Sequence, residues 1–186
     1  MGKKNISTTS DYIDFDRALN VGFKLIKEEK KAIFGLYIIV SINSGLRIGD
    51  VLSIRWSDLQ EDKLKLREQK TNKHRVIQLN ANIKKALSNF DKSNDEFIFR
   101  SQKGSVYSTQ QINRLLKQVF TREAKTHNIS SHSLRKAMGR RTWEVYNESE
   151  KALIYLSELF QHSSTSITRK YLGLRDEELQ DVYLRL

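Results

Sequence analysis

Apolar residues along this chain follow two rhythms, and the switches between them divide it into three stretches. Over 14–29, Phe15, Leu19, Phe23 and Ile26 recur at helical spacing, which predicts an amphipathic helix. Residues 31–44 are apolar almost throughout and stop at Gly45, a residue suited to a helix C-cap, so a buried helix is predicted there. A short helix over 48–58 follows, with Val51, Leu52 and Ile54 inward. The rhythm then shortens. KLKLREQ (63–69) alternates Leu64 and Leu66 with charges, HRVIQLN (74–80) carries Val76, Ile77 and Leu79, and the turn-like KTNK lies between them, which predicts a β-hairpin. A short helix over 82–90 and a third strand, EFIFRS (96–101), complete this middle stretch. Helical spacing returns at Ser108, which with Gln111 makes a capping box ahead of Ile112, Leu115, Leu116, Val119 and Phe120. HSLRKAMGRRTWEVY (132–146), EKALIYLSELF (150–160), SITRKYL (166–172) and DEELQDVYLRL (176–186) all read as helices. The expected fold is mostly α with a small antiparallel β-sheet, of the α+β class.

No repeat, low-complexity tract or linker interrupts the 186 residues, so one domain is expected. A flexible N-terminal arm over 1–10 leads into it, and a C-terminal helix over 176–186 ends it. The 38% hydrophobic and 30% charged residues suit a folded globule rather than a disordered chain. The longest apolar run, AIFGLYIIV, is far short of the roughly 20 residues a membrane span needs. The lysines at the N-terminus precede no apolar run, so no signal peptide is read and a cytoplasmic protein is expected. Absence of cysteine excludes disulfides and thiolate metal sites. Lys and Arg number 33 against 22 Asp and Glu, a net charge of +11. Such an excess on one small domain points to a polyanionic partner, nucleic acid first among them. A lysine-rich surface unrelated to binding is the plainer alternative.

Three segments carry candidate chemistry. SGLRIGDVLSIRW places Arg47 at a helix start, where taken alone it reads as a surface arginine. HSLRK sets His132 and Arg135 three apart, on one helix face, a pattern that a solvated basic face also produces. LFQHSSTSITRKYLG (159–173) sets one His, one Arg and one Tyr in a stretch rich in small polar residues, and His162 and Tyr171 lie nine residues apart. That spacing is about two and a half turns of helix or a bend between two helices, so spacing alone does not bring the pair together.

Taken in order, G-L-R, a hairpin with lysine in its turn, H-x-x-R and H-x8-Y, this chain resembles from about Asp11 onward the catalytic domain of the tyrosine recombinases, the phage integrase family. The resemblance implies that Arg47 and Arg135 clamp the scissile phosphate and that Lys70 protonates the leaving oxygen, with Lys73 a rival for that part. It implies that His132 and His162 fill the family's two histidine positions, that Asp50 supports the site and that Tyr171 is the nucleophile. Lys73, Arg75, Lys136, Arg140 and Arg169 are the expected DNA contacts. Phe160-Gln161-His162 stands where Leu-Gly-His is usual, and Asp50 where Glu is frequent. The family's usual N-terminal DNA-clamping domain is not read in these residues, so either an excised catalytic domain or a minimal recombinase is expected.

The residue types suit that chemistry. A phosphotyrosine ester stores the energy of the broken phosphodiester, so religation needs no external energy source. Arginine forks stay charged and donate paired hydrogen bonds to the equatorial oxygens as charge builds on them. The 5′ oxygen leaves only if protonated, a task for Lys or His, and His132 is the candidate to take the proton from Tyr171. No carboxylate cluster suited to Mg²⁺ is evident, so no metal or cofactor is expected. The implied partners are double-stranded DNA and three further copies of the chain on paired sites, with a monomer as the option without DNA. In the family the segment after the nucleophile packs onto a neighbouring protomer, which here would be 176–186. A type IB topoisomerase and a non-enzymatic DNA-binding regulator are the competing readings.

Overall fold

The computed structural model of the chain describes residues 10–91 and 96–186; the expected N-terminal arm lies outside them except for Ser10, whose hydroxyl accepts a hydrogen bond from Ser130 at 2.9 Å. The observed order is α1 (Phe15–Ile26), α2 (Ala32–Ser44), α3 (Ile48–Leu52), β1 (Leu59–Gln60), β2 (Lys63–Arg67), β3 (His74–Gln78), α4 (Ala81–Leu87), α5 (Thr109–Val119), α6 (Thr121–Ala124), α7 (Ser131–Val145), α8 (Glu150–Phe160), α9 (Thr165–Leu172) and α10 (Leu174–Leu184). It is the mostly helical α+β architecture expected, with one three-stranded antiparallel sheet in the order β1-β2-β3.

Local chemistry explains the helix ends. Asp14 caps α1 by accepting from the Arg17 amide at 2.7 Å, and Ser108 and Gln111 cap α5 reciprocally. Gly45 closes α2 in the left-handed region (φ 60°), where a side chain would be strained. α2 is the central element, with Leu36, Ile38, Ile39 and Ile42 fully enclosed. It lies close against α1 because two glycines face each other. A Cβ on Gly35 would come 2.6 Å from the Gly22 carbonyl oxygen.

Two expected elements differ. Residues 96–101 form no strand. Ile98 and Phe99 are both buried, which an alternating strand with one solvated face does not allow. The segment instead threads the core, making single bridges from Phe97 to Arg55 and from Arg100 to Val106. The third strand is β1, which pairs with β2 at Leu59↔Leu64. The helix expected over 48–58 stops at Leu52, and Arg55 is extended, its amide held by the Asp58 carboxylate at 2.8 Å.

The buried apolar residues form two clusters. The larger joins α1–α5, the sheet and the start of α7. The smaller comprises Trp143, Ala152, Leu153, Leu156, Phe160, Leu172 and Leu174, with Met138 and Tyr171 packed on it. α7 runs through both, and Gly139 lets α9 approach it, since a Cβ there would meet Leu172 at 2.5 Å. Every candidate motif except the hairpin turn lies along this seam.

Candidate active site

Arg47 is the residue before α3, where the chain leaves the Gly45 cap in an extended conformation. Arg135 is in the second turn of α7, its guanidinium buried. The two come from distant parts of the sequence and converge on one atom. Arg47 Nη2 donates to the carbonyl oxygen of Phe160 at 3.1 Å and Arg135 Nη2 donates to the same oxygen at 3.0 Å. Arg135 also donates to the Gly45 carbonyl and stacks over the Phe160 ring at 4.4 Å. Burial, and then the charges of Arg47 and Arg75, bring the Arg135 pKa down to about 10, against the opposing pull of Tyr171 and Glu68. It remains a cation at neutral pH.

The α8–α9 corner brings His162 and Tyr171 together. Gln161 adopts the left-handed conformation (φ 54°) that ends α8, and Ser164 caps α9. The chain thereby bends back, and the two rings pack edge to face with centroids 5.3 Å apart. His162 Nδ1 is 2.9 Å from the hydroxyl of the fully buried Thr168, which fixes the imidazole. Its pKa is lowered by burial and by the charges of Arg135 and Arg47. Phe160 packs against both rings, and Lys136 Nζ lies 5.2 Å over the Tyr171 ring. The Tyr171 hydroxyl is buried and has no hydrogen-bond partner among the described residues. Burial pushes its pKa up to about 12, although Arg135 and Arg47 pull it down. At neutral pH it is therefore a phenol. His132, at the start of α7, is exposed at its edge. Partial desolvation and the charges of Arg135, Lys136 and Arg47 lower its pKa.

Lys70 and Lys73 are both exposed in the turn between β2 and β3. Asp50, only 2% exposed, does not pair with Arg47: its Oδ1 accepts from the Gln69 amide at 2.8 Å and so holds the hairpin. Of the expected DNA contacts, Arg75 is taken up by Glu68 at 2.8 Å, Arg140 by Glu177 at 2.7 Å, and Arg169 by Glu150 and Glu178 at 2.5 and 3.1 Å. Lys136 packs on Tyr171 as described.

Sequence reasoning missed three participants: Glu68, Gln161 and the Phe160 carbonyl. Glu68 was detectable. Leu64 and Leu66 on β2 and Glu68, the residue just past its end, are buried by continued alternation, which puts a carboxylate where an apolar residue belongs. The Phe160 oxygen, a backbone atom, left no such signal. Among the described residues no group of His, Asp and Glu could hold a metal, and no helix is long and apolar enough to cross a membrane.

Comparison with known proteins shows the family. Residues 23–178 match the model of the phage integrase family. The chain is 31% identical over 166 residues to the probable integrase/recombinase YoeC of Bacillus subtilis, covering 86% of both chains. It is 28% identical to the tyrosine recombinase XerC of Caldanaerobacter subterraneus, covering 83% of this chain and 44% of that protein, so it spans less than half of that relative's length. Among solved structures, XerA recombinase superposes with a TM-score of 0.69 at 19% identity, over 100% of this chain and 66% of that one. The XerH site-specific recombinase in a post-cleavage complex with its difH substrate gives 0.69 at 20% identity, over 98% and 57%. With the family model spanning most of the sequence and YoeC aligned along nearly all of it, the chain belongs to the phage integrase family, the tyrosine recombinases.

Proposed function

We propose that the chain is a site-specific DNA recombinase of the integrase type, which cuts and rejoins DNA through a 3′-phosphotyrosine intermediate to integrate, excise or invert a DNA element. The observation that carries this reading is the convergence of Arg47 and Arg135 on the Phe160 carbonyl oxygen, at 3.1 and 3.0 Å. Two guanidinium groups directed at one neutral oxygen form a site that a phosphate oxygen would occupy more strongly, because the hydrogen bonds become charge-assisted. Tyr171, the candidate nucleophile, packs against the same Phe160.

In cleavage the Tyr171 oxygen bonds to phosphorus while the bond to the 5′ oxygen breaks. The phenol proton passes to His132, whose lowered pKa keeps it neutral and able to accept. Lys70 protonates the departing 5′ oxygen. The arginines carry the charge of the pentacoordinate phosphorane, and His162, fixed by Thr168, helps orient the phosphate. Double-stranded DNA is the substrate, and a tetramer on two paired sites is the working assembly.

Arg47→Ala and Arg135→Ala test the reading. Each removes a donor whose contribution peaks in the transition state, so cleavage at saturating DNA should fall on the order of 100- to 1000-fold while affinity changes little. Single-turnover cleavage and a binding titration separate the two effects. Lost affinity with unchanged cleavage would make either arginine a mere backbone contact.

A further inference from the structure

Glu68 is a buried carboxylate, 1% exposed, with no part in the chemistry set out above. A carboxylate is held this deep only by partners that replace its water, and its partners come from four separate places. Arg75 on β3 donates at 2.8 Å, and Arg47 before α3 lies at 3.5 Å. The Thr71 hydroxyl in the hairpin turn donates at 3.0 Å, and the Gln161 amide at the end of α8 donates as well. Its own backbone closes the turn: the Glu68 amide donates to the Lys73 carbonyl at 2.9 Å, and the Asn72 amide donates to the Glu68 carbonyl at 2.8 Å.

Apart from these, the turn is held by Arg67, whose Nε donates to the Asn72 carbonyl at 3.2 Å. Gln69, Lys70, Asn72 and Lys73 are all exposed, so no apolar side chain at those positions anchors it. Two buried carboxylates bracket the lysine instead. Asp50 grips the backbone of residue 69, and Glu68 grips the side chain of residue 71. We infer that Glu68 is a positioning residue for departure of the 5′ oxygen: it fixes the Lys70 turn against the body of the domain. This rests on the recombinase reading and on Lys70 as the proton donor. The plainer role, neutralising Arg47 and Arg75, would act on the arginine clamp whatever group leaves.

The leaving group separates these roles. As the bond from Tyr171 to phosphorus forms, an oxygen at the 5′ position takes the bonding pair together with a proton from the Lys70 ammonium. A sulfur at the same position departs as thiolate and needs no proton. Single-turnover cleavage of a nicked suicide duplex, in oxygen and 5′-bridging sulfur forms, should be measured at saturating DNA for wild type, Tyr171→Phe, Lys70→Ala, Glu68→Gln and Thr71→Val. Glu68→Gln and Thr71→Val should be slower on the oxygen substrate by on the order of 10- to 100-fold, the range expected of a misplaced catalytic group. Both should return to nearly the wild-type rate on sulfur, as Lys70→Ala should. Equal slowing on both substrates would overturn the inference and place Glu68 with the arginine clamp. Unchanged rates on both would remove any positioning role. Should Glu68→Gln fail to fold, Thr71→Val, which loses one hydroxyl contact, decides by the same two rates. Failure of the underlying reading looks different: a covalent adduct from Tyr171→Phe, or no sulfur rescue of Lys70→Ala.

Discussion

Tyr171 illustrates what burial does to a single nucleophile. Its ring packs on Phe160 and His162 with the Lys136 ammonium over its face, its hydroxyl is buried without a well-formed hydrogen bond among the described residues, and burial, opposed by Arg135, pushes its pKa up to about 12 and holds it as a phenol. A buried, unpaired hydroxyl costs desolvation that the apo fold does not recover. Tyr171→Phe should therefore leave stability unchanged or raise it by up to about 1 kcal/mol, read as the urea midpoint at constant slope. A loss of more than that would mean the hydroxyl has a partner in the free protein. At this scale the sequence was informative about side chains and silent about backbone. The order of Arg47, His132, Arg135, His162 and Tyr171 pointed to a site. Nothing in it showed that both arginines converge on the Phe160 carbonyl, or that Asp50 holds the hairpin rather than Arg47. Contacts to main-chain atoms depend on where two distant segments meet, and residue identity does not encode them.

Among the elements, periodicity served best where one face is dry and the other wet. The β2–β3 hairpin and α5, α7 and α8 lie where alternation or helical spacing put them, within a residue or two at their ends. It failed at 96–101, where consecutive Ile98 and Phe99 are both buried and apolar content imitates a strand. The C-terminal helix is a mixed case. It begins at Leu174 rather than 176, its acidic side is tied to the domain through Arg140–Glu177 and Arg169–Glu178, and Leu174 is buried. Along its apolar stripe, Leu179 and Val182 are half exposed beside Glu150, Thr165 and Arg169, whereas Tyr183 and the terminal Leu186 are 73% and 100% exposed, so the far end of the tail leaves apolar side chains uncovered. Such a stripe on a short helix suits a surface of another copy. Deleting 176–186 should preserve binding to a single site and abolish the four-protomer complex on paired sites, as followed by sedimentation. A tetrameric complex of normal stability from the truncated protein would show that the tail is not exchanged.

For the molecule as a whole, the +11 charge sets the long-range behaviour. Carboxylates of the fold already engage Arg75, Arg140 and Arg169, so the exposed turn lysines, Lys70 and Lys73, are better placed to meet phosphates first. About five phosphate contacts would give a log–log salt dependence of DNA affinity steeper than about −4. A flat response, measured by titration across salt concentrations, would separate the basicity from DNA binding.

Whether this is a DNA-cleaving recombinase turns on one covalent bond. A nicked suicide duplex, on which the cut strand cannot religate, should trap the protein as a covalent adduct at the 3′ phosphate. Peptide mapping of that adduct should place the nucleotide on Tyr171, and Tyr171→Phe should bind the same duplex without forming it. An adduct mapped to another residue, or one formed at the wild-type level by Tyr171→Phe, would contradict the assignment.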